Sequence, residues 1–234
     1  MFDPNSIPEI IDAAKAATKS DADTARLAIS FLDLTSLNDD DTVETIEALC
    51  ERAQSPAGNT AAVCVYAPFI ETAWRALGKS GIDGDVQAAA DVIEATRTAC
   101  GPLTTLKVIL ESGAFDDLSK VYDAARLAIK HGANFIKTST GKGPVGATPE
   151  AAATMITAIR DAREEDGLAC GFKASGGVKT TADAALFLAI ADEIMGEGWA
   201  APDTFRFGAS GVLTDLLKTC GMAQSDTANT TGTY

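Results

Sequence analysis

The chain has 234 residues, 46% of them hydrophobic and 22% charged, with a formal net charge of −14. That length fits one domain with a sizeable core, and the acidic balance argues against nucleic-acid binding through bulk electrostatics while leaving room for a local cationic pocket. No apolar run reaches membrane-span length, Met1-Phe2-Asp3-Pro4 lacks the marks of a signal peptide, and five scattered cysteines without a Cys-x-x-Cys pair fit reduced thiols in the cytoplasm.

In chain order, Pro8 to Ala17 reads as an amphipathic helix added before the first strand, within an N-terminal extension over 1–26. Six strand-like runs follow within a domain over 27–220: Leu27–Leu32, Ala62–Tyr66, Thr105–Leu110, Asn134–Lys137, Cys170–Lys173 and Thr204–Phe207. Each suits a buried strand. Helical spacing separates them, as in Val43, Ile46, Leu49 and in Val121, Ala124, Ala125, Ala128. Thr148-Pro149-Glu150 is a helix start, with a capping hydroxyl, a first-turn proline and an early acid. The alternation predicts an α/β fold with a parallel sheet and right-handed crossovers, to be weighed against a (β/α) barrel. The rhythm breaks once. After Tyr66 a helix over 70–77, a turn at Gly81-Ile82-Asp83-Gly84 and a helix over 86–100 come with no strand between them. A closed barrel needs eight strands, so the scaffold reads as incomplete. The polar stretch 221–234 reads as a flexible tail.

Two lysines carry the chemistry. Lys137 opens Lys-Thr-Ser-Thr-Gly and Lys173 opens Lys-Ala-Ser-Gly-Gly, each after an apolar run and before a helix. Adjacent parallel strands lie about 4.8 Å apart, so matched depths bring the two side chains together. An ordinary lysine has a pKa near 10.4; a neighbouring ammonium and burial both disfavour its charged form. A free amine beside a carbonyl forms a Schiff base, whose iminium is an electron sink for making or breaking C–C bonds. Phe207-Gly208-Ala209-Ser210-Gly211 precedes a helical run over 212–220, with small residues that let backbone N–H groups face an anion. Gly176-Gly177 follows the preceding strand, and Lys179 adds charge there. In a barrel, the loops after the last two strands are the phosphate-binding ones. Gly141-Lys142-Gly143-Pro144-Val145-Gly146 matches G-x-G-x-x-G but is a chance match: Pro144 removes an N–H and the helix starts only at Thr148. The single histidine, His131, reads as a helix C-terminal cation. Asp33 ends the first predicted strand and Glu111 follows the third; these acids either line a barrel mouth or, for Glu111, simply pair with Lys107, the reading favoured for Glu111, and Cys64 reads as a small buried hydrophobe.

Together these segments resemble deoxyribose-phosphate aldolase. The resemblance rests on Leu32-Asp33-Leu34-Thr35-Ser36-Leu37-Asn38, Gly58-Asn59-Thr60-Ala61-Ala62-Val63-Cys64-Val65-Tyr66, Leu106 to Gly113, the Lys137 motif with Gly132-Ala133 before it and Ala147-Thr148-Pro149-Glu150 after it, the Lys173 motif, and Arg206-Phe207-Gly208-Ala209-Ser210. It implies a class I aldolase without metal or cofactor, on a TIM barrel, that reversibly joins acetaldehyde and glyceraldehyde 3-phosphate into 2-deoxyribose 5-phosphate. It further implies that Lys137 forms the Schiff base and that Lys173 perturbs it. Thr138, Gly141, Lys142, Gly176, Gly177, Gly208 and Ser210 would be substrate-binding positions, Asp33 the acid at the mouth of the first strand, and terminal Tyr234 a residue that folds over the site.

The sequence departs from the family in two places. Gly211 stands where the family has a second serine. The family also has two further strands between those at Tyr66 and Thr105, one of them ending in the aspartate that assists proton transfer; no position here matches it. An incomplete sheet leaves edges to cover, so self-association into homo-oligomers and reduced aldolase turnover are expected. The competing readings are a non-catalytic sugar-phosphate-binding or assembly protein derived from an aldolase, and a deletion product without stable function.

Overall fold

The computed structural model describes residues 2–36, 48–49, 51–64, 86–102 and 104–222. Outside these lie the expected helix positions Val43 and Ile46, the end of the second strand at Val65 and Tyr66, the helix over 70–77, the turn at Gly81 to Gly84, and Tyr234. The side chain of Cys64 lies outside them too.

Six parallel strands form the central sheet: β1 (Leu32–Thr35), β2 (Ala62–Cys64), β3 (Lys107–Ile109), β4 (Phe135–Lys137), β5 (Gly171–Ser175) and β6 (Phe205–Ala209). Their spatial order is β2-β1-β6-β5-β4-β3. The helices are α1 (Ile7–Ala17), α2 (Ala22–Ser30), α3 (Val86–Cys100), α4 (Leu118–Lys130), α5 (Pro149–Asp166), α6 (Thr181–Met195) and α7 (Val212–Thr219). Between β2 and β3, α3 is the one element among the described residues. A short hairpin, Gln54–Ser55 with Gly58–Asn59, precedes β2 and escaped the sequence reading.

One strand prediction is wrong. Leu27 to Ser30 belongs to helix α2, and the first strand begins at Leu32. The Asp21 side chain caps the helix by accepting from the Thr24 N–H, and Ala25, Ala28 and Ile29 are buried at helical spacing. A short, mostly apolar run does not by itself tell strand from helix. The same helix crosses the boundary expected at residue 26. Ile7, Ile11 and Ala14 of α1 join the main core, where α1 packs on α6 and α5.

Helix α5 starts where the sequence places its signal. Thr148 caps α5, Pro149 occupies its first turn, and Gly167 ends it in the left-handed conformation at φ +68°. Thr180 and Asp183 form a reciprocal capping box at α6. His131 follows the last turn of α4, and its Nδ1 lies 2.6 Å from the Glu94 carboxylate.

Strand alternation divides the sheet into two faces. Leu32, Leu34, Ile136, Phe172, Ala174, Phe205 and Phe207 are buried in the core shared with the helices. Asp33, Lys137, Lys173, Arg206 and Gly208 occupy the alternate positions. The sheet is strongly curled. β3 and β1 lie four places apart, about 19 Å in a flat sheet at the usual spacing. Even so, the Lys107 ammonium lies 2.9 Å from the Asp33 carboxylate. Only a sheet rolled towards a barrel brings those two side chains together.

Candidate active site

Lys137 ends β4 and faces Lys173 of β5 in direct register, and the same row continues to Ile109 on β3 and Arg206 on β6. Both lysines are buried, at 6% and 2% exposure, in a protein where lysine is normally a surface residue. The sequence expectation of matched depth therefore holds at the backbone.

Asp33 is the hub of this interior. Its carboxylate accepts from Lys173 at 2.5 Å, from Arg206 at 2.6 Å and from Lys107 at 2.9 Å. Burial alone would raise its pKa, but the Lys173 and Lys107 charges outweigh that and hold Asp33 well below the usual carboxylate range. Burial pushes the Lys107 amine down, Asp33 opposes this, and Lys173 and Arg206 reinforce it. Lys107 also lies over the Phe135 ring, 4.8 Å from its centroid. Two corrections follow. Asp33 sits inside β1, enclosed by cations, rather than at the end of a preceding strand. Lys107 pairs with Asp33 and not with Glu111, because at the start of β3 it points into the curl while Glu111 lies beyond the strand's end.

Glu111 instead holds the loop after β4. Its Oε2 accepts from the Thr140 N–H at 3.1 Å and the Thr140 hydroxyl at 2.7 Å. Thr138 is fully buried and locks β4 to β5: its hydroxyl donates to the Ser175 carbonyl and accepts from the Ser175 N–H. Ser139 donates to the same carbonyl. Thr138 thus contributes to strand pairing and exposes no surface of its own.

The glycines bring the loops after β4 and β5 together. A Cβ on Gly146 would lie 2.5 Å from the Gly176 carbonyl, and one on Gly176 would lie 3.4 Å from Gly141. Gly141, Gly176 and Gly177 all have positive φ, at +84°, +77° and +87°. Lys142 is exposed on the first loop, and its N–H donates to the Thr140 hydroxyl. Lys179 is exposed just before the α6 cap. A Cβ on Gly208 would lie 2.7 Å from Lys173 Cε, so the glycine makes room for the lysine. Ser210 precedes α7 without capping it; Gly211 takes the cap position and no side chain bonds there. The Ser210 carbonyl accepts from Arg52 at 3.2 Å. Sequence reasoning assigned no role to Arg52 or Arg206. The signal for Arg206 was present, since it alternates with Phe205 and Phe207 in a strand whose apolar residues face the helices.

A curled parallel α/β sheet with a buried lysine pair in register on neighbouring strands is an architecture suited to lysine-dependent barrel enzymes. A family profile described as DeoC/LacD family aldolase matches residues 81–216. The chain is 41% identical to a protein of Agrobacterium fabrum (strain C58) named deoxyribose-phosphate aldolase, over 83% of this chain and 91% of that protein. Their alignment, at 239 positions, is longer than this whole chain, so the relative carries residues with no counterpart here. A Toxoplasma gondii ME49 structure described as a candidate deoxyribose-phosphate aldolase superposes with a TM-score of 0.70 at 21% identity, covering 86% of this chain and 95% of that one. A tetrameric deoxyribose phosphate aldolase from Aeropyrum pernix gives 0.56 at 19% identity, covering 88% and 95%. These two likenesses show the fold. The chain belongs to the DeoC/LacD family of aldolases.

Proposed function

We propose that this protein cleaves 2-deoxyribose 5-phosphate reversibly into acetaldehyde and glyceraldehyde 3-phosphate, with Lys137 as the Schiff-base residue. The observation that carries the reading is the register pairing of Lys137 with Lys173, both buried on neighbouring parallel strands. The chemistry needs Lys137 as a neutral amine, and Lys173, in register with it, is the neighbouring cation of this proposal. That amine adds to the substrate aldehyde and loses water to give an iminium. As the C2–C3 bond breaks, its electron pair flows to the iminium nitrogen and the C3 hydroxyl gives up its proton. The resulting enamine is protonated at C2, and hydrolysis frees acetaldehyde and Lys137.

Asp33 serves best as an electrostatic anchor. A carboxylate held so far below the ordinary range is a weak base at neutral pH, so its work is to orient Lys173. Gly141, Lys142, Gly176, Gly177, Lys179, Gly208 and Ser210 would form the substrate and phosphate side of the mouth, with Thr138 bracing the strands beneath. Tyr234 is proposed to close over the site. The sheet's end strands would be covered in a homo-oligomer, and the cytoplasm is the compartment that the free thiols fit.

Borohydride reduction in the presence of acetaldehyde, followed by intact-mass measurement and peptide mapping, tests the assignment. The expected result is one reduced adduct on Lys137, absent from Lys137→Ala. A protein that turns over substrate without such an adduct, or carries it on Lys173, overturns the proposal.

A further inference from the structure

Glu111 has four features that the chemistry above leaves unexplained. It is the one non-glycine residue with positive φ among the described residues, at +53°. Such a conformation is sterically costly for a side chain with a Cβ. Its Oε2 takes both donors of Thr140, and the Thr140 hydroxyl in turn accepts from the Lys142 N–H at 3.1 Å. Its Oε1 is buried with no hydrogen-bond partner among the described residues. The loop closes over this carboxylate, since a Cβ on Gly143 would lie 3.3 Å from Oε1.

The surrounding contacts fix Glu111 where it stands. The Ser112 N–H donates to the Thr138 carbonyl at 2.7 Å, and the Ala114 N–H to the Glu111 carbonyl at 2.9 Å. A Cβ on Gly113 would strike the Val145 carbonyl at 2.5 Å. The chain leaving β3 is thus wedged beneath the loop leaving β4. The left-handed turn at Glu111 is what aims its carboxylate at Thr140.

We propose that Glu111 is a positioning residue for the anion-facing loop 140–142, setting affinity for the phosphorylated end of the substrate through Thr140 without touching the reacting carbons. This inference rests on the aldolase reading above. A negative charge near an anion site would by itself weaken phosphate binding. The carboxylate is tolerated because both donors of Thr140 use it as acceptor, and the ordered loop outweighs the repulsion.

The test uses Glu111→Ala, Glu111→Gln and Thr140→Val in the full chain. Loss of a charge-assisted acceptor is worth about tenfold or more in binding. Glu111→Ala and Thr140→Val should therefore raise KM for 2-deoxyribose 5-phosphate by about that factor, with kcat little changed. Glu111→Gln, which keeps an acceptor oxygen, should recover most of the loss. Turnover of unphosphorylated 2-deoxyribose, and the borohydride adduct on Lys137, should be the same in all forms. Inorganic phosphate should raise the melting temperature of the unaltered protein more than that of Glu111→Ala. The inference is overturned if KM falls in both Glu111 variants, as charge repulsion alone would have it. It is also overturned if the unphosphorylated sugar loses as much as the phosphorylated one, or if Thr140→Val leaves KM and the phosphate shift unchanged. A missing adduct in the unaltered protein would instead defeat the aldolase reading, and the phosphate shift would still decide the role of Glu111.

Discussion

Asp33 holds three cationic side chains at once, and its removal is costly for that reason. Asp33→Asn leaves Lys173, Lys107 and Arg206 facing one another around a neutral amide. Breaking a buried ion pair from one side costs about 3–5 kcal/mol, and a lower urea midpoint should report it. The pH dependence has a definite sign. The folded-state pKa of Asp33 lies below its unfolded value, so its contribution is fully present above the unfolded pKa. It shrinks as pH falls below the ordinary aspartate range and is lost as pH falls through the folded pKa. Acid titration of stability should therefore show a smaller drop in Asp33→Asn than in the unaltered protein. Equal drops would remove Asp33 from the account.

At the scale of strands and loops, close packing decides what each position tolerates. Gly208 on β6 faces the Lys173 stem, with Ser175 Oγ 2.9 Å from where a Cβ would stand. Gly208→Ala must displace the lysine or part the strands, and overpacking of this kind costs about 1–3 kcal/mol. The expected outcome is loss of most aldolase activity with a modest fall in melting temperature. Full activity in Gly208→Ala would show that Lys173 has room to spare. The start of α5 was legible because capping is local: Thr148 acts on an N–H group three residues away. Leu27 to Ser30 were misread because a short apolar run suits both a strand and the buried stripe of a helix. The decisive signal was the cap at Asp21, six residues upstream of Leu27.

For the molecule as a whole, the net charge of −14 coexists with a cationic interior. The acidic surface keeps copies apart at long range, while β2 and β3 stand at the ends of the sheet. Sedimentation velocity should show reversible, concentration-dependent association that strengthens with added salt, as screening removes the repulsion. A single monomeric boundary at all concentrations and salt levels would count against the proposed homo-oligomer.

The sequence by itself determined the alternation of strands and helices, five of the six strand positions, the helix cap at Thr148 and the matched lysine pair. These follow from local periodicity and from the two-residue repeat of a strand, which any short window of chain contains. The tertiary structure alone decided which charges meet. Asp33 finds its partners 74, 140 and 173 residues away. Glu111 reaches Thr140 across 29 residues, and Gly208 yields space to a lysine on another strand. Such contacts depend on how far the sheet curls, a property of all the strands packed together that no stretch of sequence carries alone.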